Sequence, residues 1–193
     1  MTELGDMNSD RALVEAVLAG TPGAFERLVN EHQGLCWHIV LKLIRDPEDA
    51  RDLCQETFLR VHRYLHQYRF ESALKTWIGR VAYSVALRHL ERRRIPLSET
   101  AAGDDADPFE GIASDEDVQA RLGQAQIDAI VRVHMDRLPP IQSLLLTLYH
   151  LDELTIPEIS ATTGLPSGTI KSHLARARAR LRDTLAITLG ERP

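Results

Sequence analysis

Apolar positions along this chain fall in helical, not alternating, order. Leu13, Val14, Val17 and Leu18 form one stripe, and Ala24, Phe25, Leu28 and Val29 a second. Leu35, Ile39, Val40, Leu43 and Ile44 follow, before a break at Asp46-Pro47. Spacings of three and four put each set on one side of a helix. The next run, Ala50 to Tyr68, sets Leu53, Thr57, Phe58, Val61, Leu65 and Tyr68 on one face. A further helix, from about Leu74 to Arg94, carries Trp77, Ile78, Val81, Val85 and Leu90. No strand-like alternation of any length is present, so the pattern predicts an all-α chain.

The helical pattern stops at Ser98 and resumes near Val118. Between them stand Glu99, Asp104, Asp105, Asp107, Glu110, Asp115, Glu116 and Asp117, with no Lys or Arg, interrupted by Gly103, Pro108 and Gly111. Such a segment buries too little apolar surface to offset its ordering entropy and reads as a flexible acidic linker. Its charge could also screen basic helices or lie in a basic channel of a partner. Beyond it, a helix to about Arg137 precedes Leu138-Pro139-Pro140, and Ile141, Leu144, Leu145 and Leu148 share one face. The expected organisation is two small helical domains, at 9–95 and 119–190, joined by a flexible linker at 96–118.

The second domain ends in a helix-turn-helix pattern. Thr155-Ile156-Pro157-Glu158 reads as a capping box that opens a short helix, and Gly164 closes it. Ser167 reads as the N-cap of a second helix, whose Ile170, Leu174, Ala177 and Leu181 form its apolar face. Lys171, Arg176, Arg178, Arg180 and Arg182 stand in the stretch from Leu165 to Arg182 without a single acid. The whole chain carries a formal net charge of −5. A basic helix in an acidic protein points to a polyanion, and this arrangement to the DNA major groove. An ordinary αα-hairpin with a solvated arginine face is the plainer alternative.

Composition sets outer bounds. With 44% hydrophobic and 26% charged residues the chain reads as an ordinary globular protein. No apolar run approaches the ~20 residues that span a bilayer. The polar, acidic MTELGDMNSD start is no signal peptide. Cys36 and Cys54 are too few for a disulfide framework, so a reducing, cytoplasmic setting is expected. His62 and His66 lie at i,i+4, and Cys36 and His38 stand near His32, yet no four-ligand metal set is visible, and surface histidines are expected.

The first domain carries two further signals. Asp49, Asp52, Gln55 and Glu56 recur at helical spacing and define an acidic face. Aromatics then interleave with cations: Arg63, Tyr64, Tyr68, Arg69, Phe70, Lys75, Trp77, Arg80, Tyr83 and Arg88. Rings that stack on bases beside cations that track phosphates suit single-stranded nucleic acid. Trp77 reads as core, while Tyr68 and Phe70 stand open between core and stacking. Arg88, His89, Arg92, Arg93 and Arg94 suit duplex phosphates.

These motifs together resemble the extracytoplasmic-function sigma factors, two-domain subunits of bacterial RNA polymerase. DPEDARDLCQETFLRVHR and YRFESALKTWIGRVA resemble the family's region 2, and LTIPEISATTGLPSGTIKSHLARARARLR its region 4. The resemblance implies that Asp49, Asp52, Gln55 and Glu56 dock on the polymerase β′ clamp helices. It implies that Tyr68 to Lys75 form a loop capturing a flipped −10 base, with Arg80, Tyr83, Ser84 and Arg88 beside the melted strand. Arg63, Trp77, Arg92 and Arg93 complete the expected −10 surface. Ser167, Thr169, Lys171, Ser172, His173, Ala175 and Arg176 are the expected −35 contacts, and the β flap is a further polymerase contact. An anti-sigma factor, often membrane-anchored, is the implied regulator. No catalytic residue, cofactor, metal or small-molecule substrate is implied. The chain departs from the family pattern at Phe70, where Gly is usual, at Ser84 for Asn, at Arg88 for Asp, and at Tyr149-His150 for an Arg-Glu pair.

Two other classes fit less well. A dimeric repressor would use the helix-turn-helix but leave the aromatic and basic first domain without a role. A helical protein-interaction module would leave the basic helix unexplained. No nucleophile–base pairing or phosphate loop suggests an enzyme.

Overall fold

A computed structural model describes residues 3–93 and 130–188. All regular structure among them is helical, and the predicted linker at 96–118 lies outside them. The first unit contains α1 (Glu3–Leu18), α2 (Ala24–Ile44), α3 (Pro47–Tyr64) and α4 (Leu74–Arg93), with a 3-10 turn at Leu65–Gln67. After a helical stretch at 130–136, the second contains α5 (Pro140–His150), α6 (Ile156–Thr163) and α7 (Ser167–Thr188).

Local chemistry sets the helix ends. The Asp46 carboxylate accepts from the backbone N–H groups of Glu48 and Asp49, and Pro47 sits in the first turn. The helix therefore begins before Ala50, where its apolar stripe first shows. It ends at Tyr64, earlier than the stripe's last member, because the 3-10 turn carries the chain into the extended backbone of Tyr68. The first turn of α4 is held from a distance: the Leu74 N–H donates to Asp10 Oδ2 on α1, at 2.7 Å. Thr155 and Glu158 form the full capping box, and Gly164 ends α6 at φ 74°. Ser167 is not the N-cap expected of it. Ile170 N–H donates to Pro166 O, so Pro166 holds the cap position and Ser167 is the first helical residue.

Leu28, Ile39, Leu65, Leu74 and Ile78 are fully buried at the centre of the first unit, and Leu144, Leu145, Leu148, Leu154, Ile159 and Ile170 in the second. Each such side chain contributes about 1.5–3 kcal/mol relative to exposure. The two units also pack on each other, α2 on α5 and α4 on α6. The closest approach is at Gly79. A Cβ there would stand 3.0 Å from Thr162 Cγ2 and 3.3 Å from Ile39 Cδ1. Polar links ring this contact. His38 Nδ1 lies 2.9 Å from Asp152 Oδ1, Lys75 Nζ lies 3.2 Å from Glu158 Oε1, and Arg80 Nε donates to Ala161 O at 2.9 Å. Lys42 pairs with Asp136, and the Arg45 guanidinium donates to Leu138 O.

This close approach makes Gly79 the test of the packing. Gly79→Leu strengthens the helix locally, since Leu exceeds Gly in helix propensity by about 0.8–1 kcal/mol. It also fills the space that Thr162 occupies. The expected result is a larger radius of gyration by small-angle scattering with unchanged helical circular dichroism. An unchanged scattering curve would show that the contact tolerates bulk.

Candidate nucleic-acid interface

The second helix of the helix-turn-helix divides its residues by face. Ile170, Leu174 and Ala177 are buried, and Leu181 is half-buried against them. Ser167, Lys171, Ser172, Ala175 and Arg176 are exposed, with Thr169 and His173 at the edge. The arginines further along have other work. Arg178 lies over the Tyr149 ring, 5.4 Å from its centroid, and 3.3 Å from His150 Nε2. Burial and the Arg178 charge hold the His150 imidazole below its usual pKa. Arg180 donates to Gln142 Oε1 at 3.1 Å. Tyr149 and His150, which depart from the family's Arg-Glu pair, thus form a seat for Arg178.

On α4 most of the circumference is buried, through Leu74, Thr76, Ile78, Gly79, Ala82, Tyr83, Val85, Ala86 and Leu90. Arg80, Ser84, Arg88 and Arg92 remain as a file at four-residue spacing. Arg80, Ser84 and Arg88 line two adjoining clefts. One, of about 580 Å³, faces Ser160 to Gly164 of the second unit, and the other, of about 700 Å³, faces Glu56, Leu59, Arg63 and Tyr64. Tyr83 is mostly core, and its burial raises the phenol pKa. Arg93 is engaged elsewhere, 2.7 Å from Asp49 Oδ2.

The loop before α4 is built around rings. Tyr68 is buried, with Phe70 at 4.6 Å and Trp77 at 5.5 Å between centroids. Its hydroxyl donates to Ser72 O, and burial together with Asp10 pushes its pKa up to about 12. Phe70 has φ 59°, the left-handed region that favours glycine. The Phe70 ring offsets that strain by lying between Tyr68 and the Arg11 guanidinium, 4.5 Å from its centroid. Trp77 is half-buried and Arg69 exposed. Tyr68 is therefore a structural ring, leaving Arg69 and the edges of Phe70 and Trp77 for a base.

The acidic face is less uniform than its spacing suggests. Asp52 and Gln55 are exposed. Asp49 is half-buried between Arg93 and His89, tying α3 to α4. Glu56 pairs with Arg60 at 2.6 Å. Gln55 and Glu56 open on different grooves, separated by Leu59, which is 67% exposed. The Gln55 groove, of about 640 Å³ and walled by Phe25, Val29, Trp37 and Phe58, was not anticipated. An exposed Leu inside a polar helical face was its one sequence signal. Among the described residues no three metal-ligating side chains converge. His62 packs edge-on against Phe25, and no helix there is long and apolar enough to cross a membrane.

Residues 28–95 match the family model for Sigma-70 region 2, and residues 130–181 that for Sigma-70, region 4. The RNA polymerase sigma-H factor of Pseudomonas aeruginosa is 31% identical over 94% of this chain and 96% of its own length. The ECF RNA polymerase sigma-E factor of Escherichia coli is 31% identical over 91% of this chain and 93% of its own. Among solved structures, CnrH in complex with the cytosolic domain of CnrY aligns over 92% of this chain and 97% of its own, at 21% identity and a TM-score of 0.60. RpoE from Bartonella quintana, in complex with the anti-sigma factor NepR, aligns over 86% and 98%, at 18% identity and a TM-score of 0.64. These two share the fold across both helical units. The chain belongs to the extracytoplasmic-function sigma factors, non-catalytic proteins that direct transcription initiation through core RNA polymerase.

Two outcomes follow from this geometry. If φ at position 70 costs Phe what a left-handed residue costs generally, glycine there recovers about 1–2 kcal/mol that alanine does not. Phe70→Ala and Phe70→Gly both lose the ring contacts, so both should destabilise, with alanine the worse by about 1 kcal/mol after glycine's entropy cost. Urea titration of the two variants decides the order, and alanine matching glycine would remove the strain argument.

Glu158 supplies a pH test. Burial pushes its carboxyl up, but the Thr155 hydrogen bonds and Lys75 together hold it below its ordinary value of 4.5. A depressed carboxyl stabilises fully above its unfolded pKa and loses that contribution as pH falls through the folded one. Glu158→Gln should therefore be less stable than the parent at neutral pH. The gap should close below about pH 4.5, where urea midpoints measured at both pH values must converge.

Proposed function

We propose that this sigma factor divides promoter recognition between its two units. In this reading α7 enters the major groove of the −35 element, with Lys171, Ser172 and Arg176 as its reading side chains and Ser167, Thr169, His173 and Ala175 around them. The observation that carries it is the face division of α7: a buried Ile170–Leu174–Ala177 stripe and, opposite it, an exposed face that carries Lys171, Ser172 and Arg176 with no acid before Asp183. Arg69, Phe70, Trp77 and the Arg80–Ser84–Arg88–Arg92 file supply the −10 surface, with Lys75 and Arg63 beside them. Asp52, Gln55 and Leu59 lead the polymerase contact. Asp49 supports it through the ion pairs that tie α3 to α4, and Glu56, paired with Arg60 of its own helix, stands beside it.

The packed form is the resting form in this reading. Elements centred near −10 and −35 lie roughly 25 base pairs apart, or about 85 Å at 3.4 Å per pair. Units in direct contact cannot reach both, so promoter binding requires α6 to leave α4. An anti-sigma factor is the regulator this reading assigns, since the sigma factor resembled above was solved with one. It would act by holding the two units together over the clefts that Arg80, Ser84 and Arg88 line.

Two measurements test the assignment. Charge reversal at Asp52 and Glu56 should cut retention on core RNA polymerase while circular dichroism stays unchanged, and undiminished retention would remove the docking face. For the −35 surface, Lys171→Ala and Arg176→Ala should each weaken binding to a −35 duplex. A base-reading contact costs about 1–3 kcal/mol and relaxes sequence preference, whereas a phosphate contact lowers the salt slope by about one. Wild-type transcription and duplex binding by both folded variants would refute the assignment.

A further inference from the structure

The chain's two cysteines come together in space. Cys36 lies on α2 and is fully buried, and Cys54 lies on α3 and is half-buried. Their side chains are close enough for each thiol to shift the ionisation of the other. The groove of about 640 Å³ locates them independently. Its α2 wall is Gln33, Gly34 and Trp37, the residues on either side of Cys36, and its α3 wall is Arg51, Cys54, Gln55 and Phe58. Cys54 thus opens on the groove, while Cys36, next to Trp37 of the groove wall, is enclosed in the core.

Two thiols in contact are often only small apolar core residues. Here the pair is asymmetric in the way a disulfide-forming site requires. One sulfur is reachable from the surface and the other can be reached only through it. Protonation is asymmetric in the same sense. The hydrogen bond from Cys36 lowers the Cys54 thiol below its usual value against the opposing effect of burial. The same hydrogen bond, with burial, raises the Cys36 thiol. Cys54 is therefore the sulfur that ionises first, and the thiolate is the nucleophilic form.

We propose that Cys36 and Cys54 form a reversible disulfide site whose oxidant is a hydroperoxide, and that closing it contracts the α2–α3 groove. The Cys54 thiolate attacks the peroxide: an S–O bond forms, the O–O bond breaks, and the alcohol or, for hydrogen peroxide, water leaves once protonated. The resulting sulfenic acid is attacked by Cys36 sulfur; the S–S bond forms, the S–O bond breaks, and the Cys36 proton leaves with the hydroxyl as water. The balance is two thiols plus one hydroperoxide giving one disulfide, one alcohol or water, and a further water. Forming an S–S bond of about 2.05 Å brings two sulfurs that are now unbonded into covalent contact. The helices must follow, and Gln55 stands one residue from the moving sulfur. The consequence for polymerase binding rests on the docking role proposed above for Asp52, Gln55 and Leu59.

The test uses the full chain. Reduced protein is treated with hydrogen peroxide, unfolded, alkylated and mapped by mass spectrometry without reductant. The expected product is a Cys36–Cys54 linked peptide, two hydrogens lighter than its parts, in a monomeric chain and lost on adding dithiothreitol. Cys36→Ala, with Cys36→Ser as the second variant in case alanine leaves the core unfilled, should instead accumulate Cys54 sulfenic acid that dimedone traps. Free Cys36 beside over-oxidised Cys54, or a linkage between chains, would overturn the site. Retention on core polymerase then reads the consequence. Oxidised wild type should bind about tenfold more weakly, the scale of one lost interface contact, while peroxide-treated Cys36→Ala binds as before. Linked protein that binds undiminished overturns the contraction argument. Reduced protein that does not bind at all overturns the docking reading instead, and leaves the linked peptide standing.

Discussion

The arrangement depends on one close approach, α6 against α4 at Gly79. A helix that buries Leu74, Ile78, Ala82, Val85 and Leu90 against its own unit has little surface left. The absence of a side chain at Gly79 lets Thr162 of the second unit occupy part of it. What remains of α4 is the narrow file of Arg80, Ser84, Arg88 and Arg92. The residues proposed to meet DNA on this helix are thus those that two sets of packing leave over. At Arg80 the second unit already takes one donor, through Ala161 O.

The chemistry of that contact suits a joint that opens. Each of its ion pairs joins a partner open to solvent, Asp136, Lys75 or His38, to a more buried one, Lys42, Glu158 or Asp152. Exposed pairs contribute ~0–1 kcal/mol each. At Gly79, Thr162 Oγ1 is buried with no hydrogen-bond partner among the described residues. Buried polar groups left unsatisfied cost about 1–3 kcal/mol, a penalty that a permanent interface would be expected to remove. The contact therefore resembles interfaces between mobile domains, more polar than an obligate core. The buried Leu and Ile residues on either side form one continuous cluster through it, and Ile39 Cδ1 of the first unit reaches the contact itself.

Features set by neighbours in sequence were legible before the fold was known. The all-α class, the Thr155–Glu158 capping box, the Gly164 stop and the Ile170–Leu174–Ala177 stripe all rest on spacings within two turns, and the structure has each of them. Ser167 was misplaced by one step, because a serine before a helix looks like a cap whether or not Pro166 already accepts the first helical bond. Long-range pairings were not legible. Nothing near Asp49 announces Arg93, 44 positions on, so an acid counted as exposed is in fact half-buried in an ion pair. Nor does α1 show that Asp10 will hold the first N–H of α4. The apolar groove beside Gln55 needed two helices side by side before Phe25, Trp37 and Phe58 could form one wall.

The same distinction explains the family departures. Phe70 looks like a changed base pocket when read along the chain. In three dimensions it is a backbone problem met by packing: a φ of 59° that glycine adopts freely is held here by a ring between Tyr68 and Arg11. Tyr149 and His150 look like a lost phosphate contact, yet they hold Arg178, itself one of the cations that made the last helix look uniformly DNA-directed. Arg180 is likewise spent on Gln142. Contacts with Tyr149, His150 and Gln142 engage two of these exposed arginines, so the −35 surface proposed for α7 centres on its first three turns around Lys171, Ser172 and Arg176. That is where a recognition helix meets base edges, near its N-terminal end. Arg178 and Arg180 instead tie α7 to Tyr149, His150 and Gln142 of α5, a packing role written in the same residue type.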